Sequence, residues 1–266
     1  MRKFKEGFVY FYEEMIRKVL RGEENSSILV VCGTGDDAKV LRSLAYANVT
    51  VTNLDSRRAD GIAPYPWEMQ DAEALSYPDG SFDWVIEASG LHHCASPHKA
   101  LVEMYRVCRK GLLALEARDS LVMKVAIALG LVPTFEQIGV ATCGYETGGI
   151  RDTPTPNYIL RWTEKDVHKV LESAYPAHLH DVRFYYGLRI PNYRLVMFSP
   201  LKRAIASGLS GVLTLFNFAF PKQGNRFAWA ALKTGKLKPW MEADGIHLRR
   251  DFDMGMDPNK YAGYSE

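Results

Sequence analysis

Ile28-Leu29-Val30-Val31-Cys32-Gly33-Thr34-Gly35-Asp36-Asp37 is the stretch that decides the fold. Its first four residues are apolar without alternation and mostly β-branched, the pattern of a strand buried on both faces. Gly33-Thr34-Gly35 breaks that strand, and Ala38–Leu44 reads as a helix. Such a turn brings bare backbone and the positive end of a helix to one place. The same beat continues downstream. Val49–Leu54 reads as a strand ending in Asp55, and Asp83–Ala88 as a strand ending in Ser89-Gly90. Pro97–Cys108 reads as a helix with Ala100, Leu101, Met104 and Val107 on one face, and Leu112–Leu115 as a strand ending in Glu116. Strands and helices alternating at this length imply parallel βαβ units with right-handed crossovers. The expected class is α/β, a mostly parallel sheet flanked by helices, with its ligand crevice at the carboxyl ends of the strands.

Outward from this core the pattern changes. Residues 8–20 place Phe8, Phe11, Tyr12, Ile16, Val19 and Leu20 at helical spacing, which predicts an amphipathic first helix. Beyond Arg118, Ser120–Leu131 reads as an apolar helix and Glu136–Pro156 as a glycine-punctuated loop. Thr163-Glu164-Lys165-Asp166 opens a helix with a near capping box. Val182–Ile190 and Phe227–Leu232 read as strands. Between them Leu201–Phe220 is apolar nearly all round, and the tail from Gly235 reads as irregular. The run 204–221 carries no charge until its end and sits at the lower limit for a membrane span. Its Ser, Asn and Gly content favours a helix buried over the site, with weak membrane-surface contact as the lesser reading.

Composition narrows the class. The chain has 266 residues, 47% hydrophobic and 24% charged, with a net charge of +2, too small to argue for a nucleic-acid partner. Cys32, Cys94, Cys108 and Cys143 show no CxxC spacing, so free thiols in a reducing compartment are expected. Glu6, Glu13 and Glu14 interrupt the apolar positions of the N-terminus, unlike a signal peptide. The expected location is cytoplasmic.

Asp55 follows the glycines by about 20 residues, the spacing at which an acid holds a ribose diol in nucleotide-binding folds. That spacing suits a nicotinamide dinucleotide as well as S-adenosylmethionine. The stretch Gln70-Asp71-Ala72-Glu73-Ala74-Leu75-Ser76-Tyr77-Pro78-Asp79-Gly80-Ser81-Phe82-Asp83 separates the two. It resembles the UbiE-like methyltransferases, which carry "D-A-x-x-L-P-F-x-D-x-S-F-D" ahead of the fourth strand. Leu91-His92-His93 and the run from Ala100 through Glu103, Arg106 and Arg109 to Gly111 match that family's next segment. The resemblance covers roughly residues 25–120 and implies a Rossmann-like class I methyltransferase fold, with a helical insertion near the C-terminal part. It divides a single domain, 1–266, into a cofactor-binding half (1–118), a region of substrate-pocket insertions and last strands (119–234) and an irregular tail (235–266).

The resemblance also implies roles. Asp55, with Ser56 beside it, would hold the ribose hydroxyls of S-adenosylmethionine. Asp71 would take the adenine amino group, with Ala72 offering backbone. Cys32, Gly33 and Gly35 would line the methionine end, and Ser89 with Leu91 would lie beside the sulfonium; S-adenosylhomocysteine is the implied product. One departure is plain: the family's acid and first glycine on the first strand fall at Leu29 and Val31. Asp36 or Asp37, just past the turn, could replace the missing acid.

Methyl transfer is an in-line displacement in which the protein contributes mainly proximity and orientation. An aliphatic hydroxyl acceptor gains from a general base near neutral pKa. His92 or His93 is the expected base, and Glu116 the second candidate, with a salt bridge to Arg118 or Arg57 as its structural alternative. No metal is expected, because neither Asp36-Asp37 nor Asp251/Asp253 sits where a catechol-type Mg²⁺ site belongs. Tyr145, Arg151, Tyr158 and Arg161 offer rings beside donors and are the expected contacts to a sugar or other small-molecule acceptor. The run from Met104 to Leu121 resembles methyltransferases associated with bacterial surface-polysaccharide biosynthesis. O-methylation of a sugar or glycan precursor is therefore the leading expectation. Methylation of a quinone, phenol or other small natural product is the alternative. A non-catalytic cofactor-binding partner subunit is the alternative from another class.

Overall fold

The computed structural model describes residues 2–188 and 215–255, together with positions 200, 208 and 212. Seven strands form one sheet: β1 (Ile28–Val31), β2 (Val49–Asn53), β3 (Trp67–Met69), β4 (Phe82–Ala88), β5 (Cys108–Ala117), β6 (His178–Gly187) and β7 (Arg226–Leu237). Their spatial order is β3-β2-β1-β4-β5-β7-β6. The first five pair in parallel, and β7 runs antiparallel to both β5 and β6. The expected α/β class with a mostly parallel sheet is what the chain adopts.

Because successive strand residues face opposite sides, β1 feeds two cores at once. Leu29 and Val31 join Leu101, Met104, Trp162, Leu171 and Trp229 on one face. Ile28 and Val30 join Tyr12, Ile16, Leu20, Ala38 and Leu41 on the other. The first face is covered by α3 (Pro97–Val107) and α6 (Glu164–Ala174), the second by α1 (Arg2–Val19) and α2 (Gly35–Ser43). Thr163 caps α6 through a reciprocal capping box with Asp166, as its sequence predicts. Thr34 does the same for α2 with Asp37.

Several boundaries move for physical reasons. β3 was not expected: its three residues carry no apolar run and join the sheet edge through backbone pairing with β2. β5 begins four residues before the expected Leu112, its exposed Arg109 and Lys110 hiding the start. The region 136–156 contains a short helix, α5 (Gln137–Thr142), as well as loop, and α4 (Leu121–Ala128) is shorter than the apolar run containing it. The tail expected to be irregular from Gly235 is still β7 to Leu237. Most of the apolar run 201–220 lies outside the described residues. Where it is described, Leu215, Phe216, Phe218 and Phe220 are exposed, Phe218 at 90%, and so do not bury against the site. Among the described residues no helix is long and apolar enough to cross a membrane.

The strand order reverses between β1 and β4, where β1 sends its crossover to β2 and β4 sends its own to β5. That switch point, at the carboxyl ends of the strands, is where an open α/β sheet leaves a crevice.

Candidate active site

A cavity of about 310 Å³ occupies that crevice. Its walls are the loops after β1, β2, β3 and β4 and the segment Gly148–Asp152. Two residues that close strands, Cys32 after β1 and Ser89 after β4, hold left-handed backbone at φ 54° and 62°. Non-glycine residues in this region cost about 1–3 kcal/mol and cluster at functional sites. Gly90 completes the floor, since a Cβ there would lie 2.3 Å from Cβ of Cys32. Of the expected cofactor residues, Cys32, Asp36, Asp55, Asp71, Ala72 and Ser89 all line the cavity.

Gly33, Gly35, Ser56 and Leu91 do not. Leu91 is fully buried in the core and Ser56 is exposed. Gly33 is a packing residue: a Cβ there would lie 2.5 Å from Cγ1 of Val51 and 2.8 Å from Cγ1 of Val30. Gly33→Ala is therefore expected to overpack the first turn and cost about 1–3 kcal/mol. Thermal unfolding should register this as a fall in Tm of roughly 2–4 °C per kcal/mol.

The acids of the cleft are not idle. Both carboxylate oxygens of Asp55 accept from Arg57, at 2.6 Å from Nε and 2.8 Å from Nη2. Nη2 of Arg57 also reaches Asp152 at 3.0 Å. Arg151 pairs with Asp71 at 2.8 Å and with Glu73 at 3.2 Å. The segment around Ile150–Asp152 is thus a strap held across the cofactor side of the cleft by two arginines. Arg151 was expected to meet the acceptor; it faces the adenine-side acids. Tyr145 and Tyr158 are exposed, Tyr158 edge-on to Phe135, and Arg161 donates to the carbonyl oxygens of Ile159 and Pro133. None of these three lines the cavity.

The two histidines part company, as neighbours on one turn of 3-10 helix (Leu91–His93) should. His93 lines the cavity. His92 is buried, with Nδ1 at 2.7 Å from Oε2 of Glu116 and Nε2 at 3.1 Å from Oε2 of Glu136. Burial opposes the charge on His92, but the carboxylates of Glu116 and Glu136 overcome it and hold its pKa well above the usual range. Glu116 has only 4% of its surface exposed, and its other oxygen accepts from the backbone N–H of His92. Its partner is therefore His92, neither Arg118 nor Arg57. Asn157 donates to the carbonyl of His92 and fixes the turn from the far side. Arg118 instead pairs with Glu164 at 2.8 Å.

The family's acid on β1 falls at Leu29; Asp36 and Asp37 past the turn both line the cavity, and Asp37 is the buried one. It is buried, lines the cavity and accepts from both the backbone N–H and the hydroxyl of Thr34. Burial outweighs those bonds and pushes its pKa up to about 6. A carboxylate so placed lacks a full counter-charge and faces the cavity that could supply one.

Comparison with known proteins agrees with this geometry. A family model described as "Methyltransferase domain" matches residues 29–115. Residues 29–115 are thus similar to a methyltransferase domain. The domain is 44% identical over 98 residues to the ubiquinone/menaquinone biosynthesis C-methyltransferase UbiE of Hydrogenovibrio crunogenus, covering 32% of this chain and 39% of that protein. It is 35% identical over 101 residues to the UbiE of Pseudoalteromonas translucida, covering 37% and 32%. The chain thus matches about two fifths or less of the length of these relatives. Two solved structures share the fold. One is the YcgJ protein of Bacillus subtilis, with TM-score 0.53 and 9% identity over 84% of this chain and 98% of that one. The other is magnesium protoporphyrin IX methyltransferase of Synechocystis PCC 6803 with bound S-adenosylhomocysteine, with TM-score 0.52 and 14% identity over 88% and 85%. The match ends at residue 115, within β5, so the strap and Glu136 lie beyond the matched residues. Local sequence carried no signal for either, since their partners are distant in the chain.

Proposed function

We propose that this chain transfers the methyl group of S-adenosylmethionine to a small-molecule acceptor, and that the accepting atom is a hydroxyl oxygen of a sugar or glycan precursor. The observation that carries the cofactor side is the charge of the cleft. Asp36, Asp37, Asp55, Asp71, Glu73 and Asp152 line it, against two guanidiniums, that of Arg151 in the wall and that of Arg57 paired with Asp55 and Asp152. Such a wall attracts a ligand bearing a sulfonium and an ammonium and repels the pyrophosphate of a nicotinamide dinucleotide. When bound, the cofactor supplies an already activated methyl group. Asp55 would hold its ribose and Asp71 its adenine. Asp37 would meet its ammonium, and Ser89 and His93 would flank the reacting centre. His93 is the histidine that reaches the cavity wall, whereas His92 is held away from it between Glu116 and Glu136. Its place in the cavity wall argues against a non-catalytic subunit, in which that side would be filled.

The charge assigned to Asp37 has a pH signature. Its folded-state pKa lies above the ordinary 3.8, at about 6. Its contribution to folding is therefore fully present below about pH 4 and is lost as pH rises through about 6. Ligand binding has the opposite sense, because only the ionised carboxylate attracts the ammonium. Titration calorimetry is expected to show S-adenosylhomocysteine binding about tenfold weaker at pH 5 than at pH 7. Asp37→Asn should flatten that dependence; an unchanged slope would remove Asp37 from the ammonium contact.

The acceptor is tested by incubating the chain with cofactor labelled in the methyl group and two panels, nucleotide-linked or oligomeric sugars and reduced quinones. Label in an O-methyl sugar supports the proposal. Label on a quinone ring carbon replaces it with the second reading, which rests on the printed activity of the UbiE relatives.

A further inference from the structure

His92 and His93 share one turn after β4, while Glu136 comes from the segment before α5, yet their ligand-type atoms converge. Nε2 of His92 lies 3.1 Å from Oε2 of Glu136, and Nε2 of His93 lies 3.4 Å from the same oxygen. One ligand atom from each of the three lies within 4.8 Å of the others. Each imidazole is also held from behind. Nδ1 of His92 is 2.7 Å from Glu116, and Nδ1 of His93 is 3.4 Å from the carbonyl oxygen of Gly149. An N–H given to a carboxylate or a backbone carbonyl fixes the tautomer and presents the opposite nitrogen as a ligand, the arrangement that ordinarily stands behind metal-bound histidines. Here it occurs twice and aims both Nε2 atoms at one carboxylate.

We propose that His92, His93 and Glu136 form a three-ligand site for a divalent transition metal of the zinc class, with Glu116 as the positioning residue behind His92. A tetrahedral ion bound at about 2.0–2.1 Å places its ligand atoms about 3.3 Å apart. The two distances above fall on either side of that edge length. Two imidazoles and one carboxylate suit zinc, cobalt or iron(II) and disfavour magnesium and calcium, which take oxygen ligands. The ion takes the place of the proton that otherwise holds these groups together. His93 belongs to the cluster and to the cavity wall, so the fourth position, open to water or an acceptor oxygen, lies beside the cleft. This site is separate from the acidic pairs Asp36-Asp37 and Asp251/Asp253 considered from sequence. It stands on geometry whether or not the acceptor is a hydroxyl.

The test uses the full chain, purified without a histidine tag, stripped with chelator and titrated with Co²⁺. The expected result is one Co²⁺ per chain, with the intense visible absorption of a tetrahedral site and displacement by Zn²⁺. His93→Ala and Glu136→Gln should each weaken binding at least a hundredfold with unchanged circular dichroism. Glu116→Gln should weaken it about 10- to 100-fold. His247→Ala, in an exposed His–Asp pair elsewhere, should change nothing. Cobalt bound equally by wild type and by folded His93→Ala would overturn the proposal, as would no binding by the folded wild type. Either outcome would leave a purely hydrogen-bonded cluster.

Discussion

Asp55→Ala is expected to bind S-adenosylhomocysteine at least a hundredfold more weakly than wild type while remaining folded. Asp55 follows β2 at the wall of the cavity, where a single carboxylate can accept from both ribose hydroxyls. Hydrogen bonds to a charged acceptor are worth about 1.5–3 kcal/mol each. Two of them exceed the roughly 2.8 kcal/mol that a hundredfold change requires. The substitution also frees Arg57 from its three bonds to Asp55, one of them from its backbone N–H, but Arg57 keeps Asp152 as a partner. Its side chain is half exposed, so stability should change little. Titration calorimetry beside a thermal melt separates the two effects. Undiminished binding by the folded variant would remove Asp55 from the site and the ribose assignment with it.

Glu116→Ala is expected to act on stability instead, by about 3–5 kcal/mol, the usual result of deleting one partner of a buried ion pair. For a chain of this size that is a fall in Tm on the order of 10 °C. His92 would lose the acceptor of its Nδ1 and of its backbone N–H together. Glu116→Gln keeps one of the two acceptor oxygens and should lose less. This contrast decides between the two roles the position has carried. A general base lost to alanine would abolish turnover and leave the melting curve where it was. An orienting carboxylate would move the melting curve first.

The parts of the site legible in sequence are those that a strand and its following turn place by themselves. Asp55, Ser89 and Cys32 close strands that the apolar runs announce, and Asp71 and Ala72 sit in a stretch whose spelling is family-specific. The parts that were not legible depend on pairings across long stretches of chain. Arg57 meets Asp152 across 95 positions and Arg151 meets Asp71 across 80. His92 meets Glu136 across 44. Nothing local to residues 136–156 distinguishes a loop over the acceptor from a strap over the cofactor, because glycine spacing reports only that the chain turns. For the same reason Tyr145, Tyr158 and Arg161, a suitable mixture on paper, do not line the cavity. Gly33 shows the converse error: a glycine of the right motif whose need is met by Val51 and Val30 packed against it.

The strap has a kinetic meaning. The carboxylates that would hold ribose and adenine are already answered by Arg57 and Arg151. A cofactor arriving there would therefore exchange partners and not fill a void. The same exchange runs backwards after each reaction. When the spent nucleoside loosens, the arginines compete for its carboxylates at an effective concentration that no free ligand matches. An enzyme whose product differs from its cofactor by one methyl group risks being held by what it has made. Under the proposed function, a tethered competitor built into the fold would relieve that retention and favour the next turnover.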